Sequence, residues 1–206
     1  MHIFRTAAAM ALLVISFGAC AQSPGPQKEP ARIRGVISSV SDRTLVIRTR
    51  EGADATVKLD EKTSVSTVLK ASMSDIKPNT FVGVAAMPLP DGRLQALEIH
   101  IFPEAMRGVG EGSRPWDLAP GSTMTNGAVS GAAKVENGDM LTVSYNGGEK
   151  KIVVPADAPI VSYASAAMSD VAPGVGIVIV RAEPLPDGTF GAARITVGRN
   201  GVNPPM

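Results

Sequence analysis

A five-residue string, Pro-Leu-Pro-Asp-Gly, occurs at Pro88–Gly92 and again at Pro184–Gly188. Upstream of each copy lies a second match, Met73-Ser74-Asp75-Ile76-Lys77-Pro78 against Met168-Ser169-Asp170-Val171-Ala172-Pro173. The matches are offset by 96 and 95 positions, so about one residue was gained or lost between them. A near-constant offset over two separate motifs marks an internal duplication, which constrains the chain to two like units.

Within each unit the dominant hydrophobic period is two. Leu45-Val46-Ile47, Val57-Lys58-Leu59, Val65 with Val68, Phe81 to Val84 and Leu97 to Ile101 are short apolar runs separated by turn residues. Leu141 to Tyr145, Lys151 to Val154, Ile160 to Tyr163, Val175 to Val180 and Ala193 to Val197 copy that order. Such runs read as strands, and Asp91-Gly92 reads as the turn of the last hairpin. Ser72 to Lys77 is the one helical hint in the first unit, with Ser72 or Ser74 as a cap and Pro78 as a stop. Met168 and Val171 mark its counterpart. The expected fold is all-β: two tandem five-stranded OB-like barrels over residues 32–102 and 126–201, each with one short helical turn. An SH3-like barrel is the nearest alternative. Residues 103–125, with no usable periodicity, read as a long irregular joint. Residues 202–206 read as a tail.

The start of the chain reads as an export signal. A basic opening ends at Arg5, and the apolar stretch from Thr6 to Ala19 is shorter than the ~20 residues a bilayer span needs. Two processing outcomes remain open. Ala19-Cys20-Ala21 is a small-x-small site that ends the signal at residue 21 and releases a soluble periplasmic protein. Phe17-Gly18-Ala19-Cys20 resembles a bacterial lipobox, which ends the signal at residue 19 and makes Cys20 a lipid anchor. Residues 22–31, rich in proline, read as a flexible tether. No later stretch is long and apolar enough for a transmembrane span. Cys20 is the chain's only cysteine, so the folded part has no disulfide and no thiol chemistry. Removing Arg5 leaves 19 basic against 19 acidic residues. That balance offers no footprint for nucleic acid.

Arg34-Gly35, Ser74 to Pro78, Phe81-Val82-Gly83-Val84, and Asp91-Gly92 before Ala96-Leu97-Glu98 resemble a bacterial exported domain of unknown function, for which an OB-like barrel is expected. The stretch 32–206 is similar to a group of two-repeat periplasmic proteins whose joint reads much like Phe102 to Gly108 and Arg114-Pro115-Trp116-Asp117. Those proteins often carry automatic labels as permeases of metal transporters. A permease needs several long apolar spans, and this chain has none. After the signal, His100 is the only histidine, whereas a zinc site wants three or four nitrogen or sulfur ligands. No metal site and no cofactor are expected.

Candidate sites are few. The alternation of the last strand places His100 on the face opposite Leu97, Ile99 and Ile101. It reads as a surface or interdomain histidine, with a soft-metal role beside Met106 and Met124 as the sharper alternative. The Pro-Leu-Pro-Asp-Gly loops and the Ser-Asp turns read as structural. Gly108-Val109-Gly110-Glu111-Gly112 has no Gly-Lys-Ser/Thr ending and no following amphipathic helix, so it is not a phosphate loop. The joint holds the chain's only tryptophan, Trp116, with Arg107, Arg114 and Asp117, a combination enriched in binding hot spots. Two readings stand: a clasp, with the indole buried between barrels and arginine–carboxylate pairs around it, or a site for a small ligand or an envelope protein. The functional expectation is a non-enzymatic binding or scaffold module of the cell envelope. The alternatives are a small hydrolase using Asp/Glu in the interbarrel cleft, or an accessory protein for metal handling.

Overall fold

A computed structural model of the chain describes residues 29–136 and 138–205. The signal, Cys20 and most of the tether lie outside the described residues. Twelve strands follow one another: β1 (Ala31–Ser41), β2 (Thr44–Thr49), β3 (Asp54–Lys70), β4 (Phe81–Pro88), β5 (Leu94–Ile101), β6 (Gly112–Pro115), β7 (Thr123–Val135), β8 (Gly138–Tyr145), β9 (Gly148–Val154), β10 (Ile160–Ser165), β11 (Gly176–Pro184) and β12 (Phe190–Val197). The helical elements among the described residues are three-residue 3-10 turns. None is long and apolar enough to cross a membrane.

The strands do not sort by repeat. β1 pairs antiparallel with β2 and with β11 from the second repeat, and β2 pairs with β3. β12 pairs antiparallel with β11 and parallel with β3, which closes a five-strand barrel. Its core joins Ile33, Ile37, Leu45, Ile47 and Val57 of the first repeat to Ile177, Ile179, Ile195 and Val197 of the second. The last hairpin of the first repeat, β4–β5, joins β7, β8 and β9 instead. β5 meets β9 through Leu94–Ile152 and Gln95–Val153. The two repeats have exchanged their final hairpins, so 32–102 and 126–201 are not separate barrels.

The exchange follows from the length of β3. It runs 17 residues, about 55 Å at ~3.3 Å per residue, and does not turn back at the barrel rim. Its last residues pair antiparallel with β10 and deliver the chain to the other core. There the Ser72 N–H and hydroxyl donate to Asp75 Oδ2 at 2.8 and 2.9 Å, fixing the turn Met73–Asp75. Met73 and Ile76 then pack with Val84, Ile99, Leu141 and Ile152. The equivalent turn, Met168–Asp170, places Met168 and Val171 in the first barrel.

The β3–β10 ladder pairs Ser66 with Ser165, Val68 with Tyr163 and Lys70 with Val161. Under the 95-residue offset Ser66 corresponds to Val161 and Lys70 to Ser165. The ladder therefore maps onto itself about the Val68–Tyr163 pair, and a pseudo-twofold axis relates the two strand groups. Parallel pairing repeats the relation: Ile195–Val65 and Thr196–Ser66 on one side, Ile99–Ile160 and His100–Val161 on the other. One asymmetry remains. The counterpart of the unbroken β3 is split into β9 and β10 between Pro155 and Pro159, where proline withholds a ladder donor.

Gly35 and Gly127 hold equivalent places in β1 and β7. A Cβ on either would run into the neighbouring strand's backbone carbonyl, at Arg48 or Ser144. The repeated loops are structural: Asp91 and Asp187 each accept a backbone N–H two residues on, from Arg93 and Thr189, both at 3.0 Å. The 103–125 joint is more ordered than an irregular segment. It holds a 3-10 turn at Glu104–Met106 and the strand β6, which pairs with β7 because Ser113 and Arg114 lie in extended register with Thr125 and Met124.

Exchange has a direct test. With an engineered protease site between Gly108 and Gly110, cleavage should leave both pieces co-eluting on native gel filtration and melting in one transition. Contiguous barrels would part into two folded fragments.

Candidate ligand site at the seam

Alternation along β5 is interrupted. Ala85 pairs with Glu98 and Ala86 with Ala96, so Leu97 is an extra residue in the ladder, a bulge. Leu94 and Ala96 face the core before it and Ile99 after it. Leu97 therefore does not share the core face with Ile99, contrary to the plain period-two expectation. The bulge turns Glu98 and His100 toward the seam between the strand groups. In β12 the core phase also changes, between Ala192 and Ile195, where the ladder to β3 passes from Ala192–Leu59 to Arg194–Ser64, so Arg194 and Thr196 are the counterparts of Glu98 and His100.

His100 is 1% exposed and Glu98 3%, so the histidine is an interior residue and not a surface one. Its Nε2–H donates to Glu98 Oε1 at 3.2 Å. The ring stacks on Tyr163 at 5.5 Å and 29°, and Tyr163 lies 5.3 Å from Phe102. Burial first, then the charge of Glu98, push the Tyr163 hydroxyl above its usual range, with Arg194 opposing. The tyrosine therefore stays protonated.

Trp116 closes the other side of the seam. Its indole is 8% exposed and packs with Ala85 and Met124 of one strand group and Val178 of the other. The loop that presents it is pinned by Ser122: the Trp116 N–H donates to the Ser122 carbonyl at 2.8 Å, and the Ser122 hydroxyl donates to the Trp116 carbonyl at 3.0 Å. The Arg32 guanidinium lies 3.8 Å from the ring centroid and that of Arg114 lies 5.5 Å away. Asp117 forms an ion pair with Arg32 and accepts from both terminal nitrogens of Arg34, Nη2 at 2.6 Å and Nη1 at 3.2 Å. The Arg34 hydrogen bond first, then Arg32, hold its carboxyl well below the usual carboxylate range against the opposing effect of burial.

The four joint residues thus divide. Arg114 and Trp116 face a common cavity, and Asp117 ties the Trp loop to β1 of the closed barrel. Arg107 lies apart, donating to Glu104 at 2.5 Å and to the Asn79 carbonyl at 2.9 Å. Asp117 takes its arginines from Arg32 and Arg34, not from Arg107 or Arg114, because the exchange lays β1 against β11 at the seam. The buried ring belongs to the clasp reading.

Beside the indole lies a mainly apolar cavity of about 260 Å³. Its walls include Phe102, Met106, Met124, Tyr163 and Val180, with Arg114 and Arg194 among them. His100 Nδ1, Trp116 Nε1 and Asn126 Oδ1 are buried without a hydrogen-bond partner, and all three residues line this cavity. The Asn126 amide group is oriented by donating to the Val109 carbonyl at 3.0 Å. Glu98, Asn126, Tyr163 and Arg194 were not singled out from sequence. The available signal was the shared spacing of Glu98-x-His100 and Arg194-x-Thr196 at equivalent places in the two repeats.

Residues 34–100 match the family described as Domain of unknown function (DUF5666), and such a domain is found over that stretch. It runs from β1 through most of β5 and so contributes strands to both groups. No curated protein and no solved structure matches the chain.

Two outcomes check the clasp. Trp116→Ala should lower stability by about 3 kcal/mol, the scale for emptying a buried aromatic site, measured by denaturant unfolding. Asp117 has a folded pKa below its unfolded value of about 3.9, so its contribution is present above that pH and lost as pH falls. The fall in Tm from about pH 5 to about pH 2.5 should therefore be shallower in Asp117→Asn than in the parent.

Proposed function

We propose that the protein is a non-enzymatic binding module of the cell envelope, built of two equivalent OB-like barrels with a small-molecule site at their seam. The location rests on the export signal. The barrel assignment rests on the closed strand group, in which β1, β2, β3, β12 and β11 follow one another around the ring with one parallel pairing. The second group repeats those pairings position by position.

One observation carries the binding function. Three buried polar atoms without partners, His100 Nδ1, Trp116 Nε1 and Asn126 Oδ1, belong to residues around one apolar cavity. A buried polar atom left unpaired is worth about 1–3 kcal/mol of destabilisation, which a ligand that hydrogen-bonds there would recover. Apolar walls with a few convergent polar groups are the usual make-up of a small-molecule site, and about 260 Å³ lies just below the usual range. A one- or two-ring molecule fits that size.

The hydrolase alternative finds less support. Among the described residues Glu98 is the one buried carboxylate, and it faces His100 and not a second acid. His100 Nδ1 holds no hydroxyl, so no Ser–His–acid relay is assembled. For metal handling, His100, Met106 and Met124 do line the same cavity. The guanidinium groups of Arg114 and Arg194 there oppose a cation.

Saturation-transfer NMR with neutral 2-naphthol tests the reading. One saturable site per chain is expected, weakened about tenfold or more by Val180→Phe, which narrows the cavity from an exposed wall position. No binding, or binding unchanged in that variant, would overturn it.

A further inference from the structure

We propose that the seam cavity takes a small aromatic carboxylate, its charge met by Arg114 and its ring held against Phe102, Tyr163 and Trp116. This deepens the binding function above and rests on it.

The charge pattern carries the inference. Arg32 and Arg34 share Asp117, and Arg107 has Glu104. Arg114 has no ion pair among the described residues and donates from Nη1 to the neutral Gly110 carbonyl at 2.7 Å. Burial first, then the neighbouring Arg32 charge, disfavour its protonated form. A guanidinium nonetheless stays charged in proteins, so an anion delivered to it relieves a standing penalty. Arg194, also without an ion pair among the described residues, lines the same cavity. Counted formally, four guanidinium groups (Arg32, Arg34, Arg114 and Arg194) surround the seam against the two carboxylates of Asp117 and Glu98.

The remaining chemistry selects the kind of anion. A carboxylate has two acceptor oxygens, and the free Arg114 nitrogens with Trp116 Nε1–H provide donors for both. His100 stacked on Tyr163, and Phe102 tilted against Tyr163 by 34°, make an aromatic wall. An aromatic ring finds offset-stacked or edge-to-face partners in that wall, which an aliphatic acid does not. Asn126 Oδ1 remains as an acceptor for a hydroxyl or amine on the ring. Inorganic phosphate would satisfy Arg114 and strand the apolar walls against water, so the apolar body is part of the recognition.

The test compares benzoate, benzamide and benzylammonium on the mature chain by calorimetry. Benzoate should bind at least about tenfold more tightly than its neutral isostere, the scale of one charge-assisted hydrogen bond, and benzylammonium should not bind. Arg114→Gln should bring the benzoate-to-benzamide ratio to about one, and Arg114→Lys should restore part of the preference. If benzamide equals benzoate on the unmodified chain, or the preference survives Arg114→Gln, the ligand class is wrong while the cavity function stands. If none of the three binds and 2-naphthol also fails, the cavity function itself falls. The benzoate-to-benzamide ratio on the unmodified chain decides the matter even if Arg114→Gln does not fold.

Discussion

The pairing of the end of β3 with β10 is the contact from which the other features of the molecule follow. A strand that stopped near Val65 would let the chain fold back and close its own barrel. Because β3 runs on to Lys70 and is held by β10, the next turn is delivered to the opposite core. Each hydrophobic core is then shared between repeats. The closed barrel cannot exist without Ile177, Ile179 and Ile195 from the second half, so the chain's two copies are one cooperative structure. The resulting seam has no counterpart in two independent barrels, and its residues come from strands distant in sequence.

The bulge in β5 and the matching change of core phase in β12 decide what that seam contains. A regular strand would have kept Leu97 in the core phase. One extra residue lets Leu94 and Ala96 on one side, and Ile99 on the other, all face inward, and rotates Glu98 and His100 outward to the seam. The change of phase in β12 presents Arg194 and Thr196 from the other side. Two repeats that began alike thus offer an acid and an imidazole from one half against a guanidinium and a hydroxyl from the other, around one axis. That loss of symmetry is what gives a single cavity a defined polarity.

Trp116 shows why clasp and site are not exclusive. Its ring is buried because the large apolar area gains from leaving water. Arg32 covers one part of it while Asp117 pairs with Arg32 and Arg34 beside it. The same burial strips Nε1 of water without supplying a protein acceptor. A clasp that were only structural would be expected to satisfy that N–H, since an unpaired buried donor lowers stability.

Local chemistry was legible in the sequence wherever a residue's role depends on its neighbours in the chain. The period-two runs, the Asp-Gly turns, the Ser72–Asp75 turn and the duplication itself all belong to that class, because strand alternation and turn geometry act over a few residues. Which hairpin joins which strand group did not belong to it. Own-hairpin and exchanged-hairpin closure bury equivalent side chains, since Ile99 and Ile195 occupy matching places, so the hydrophobic pattern is the same for both. Only the course of β3 past the rim distinguishes them. His100 reads from sequence as a surface or interdomain histidine because alternation alone gives a face and not what covers it. Tertiary structure supplied the cover, Tyr163 stacked on the imidazole, and it likewise brought the arginines of β1 to an aspartate more than 80 residues away.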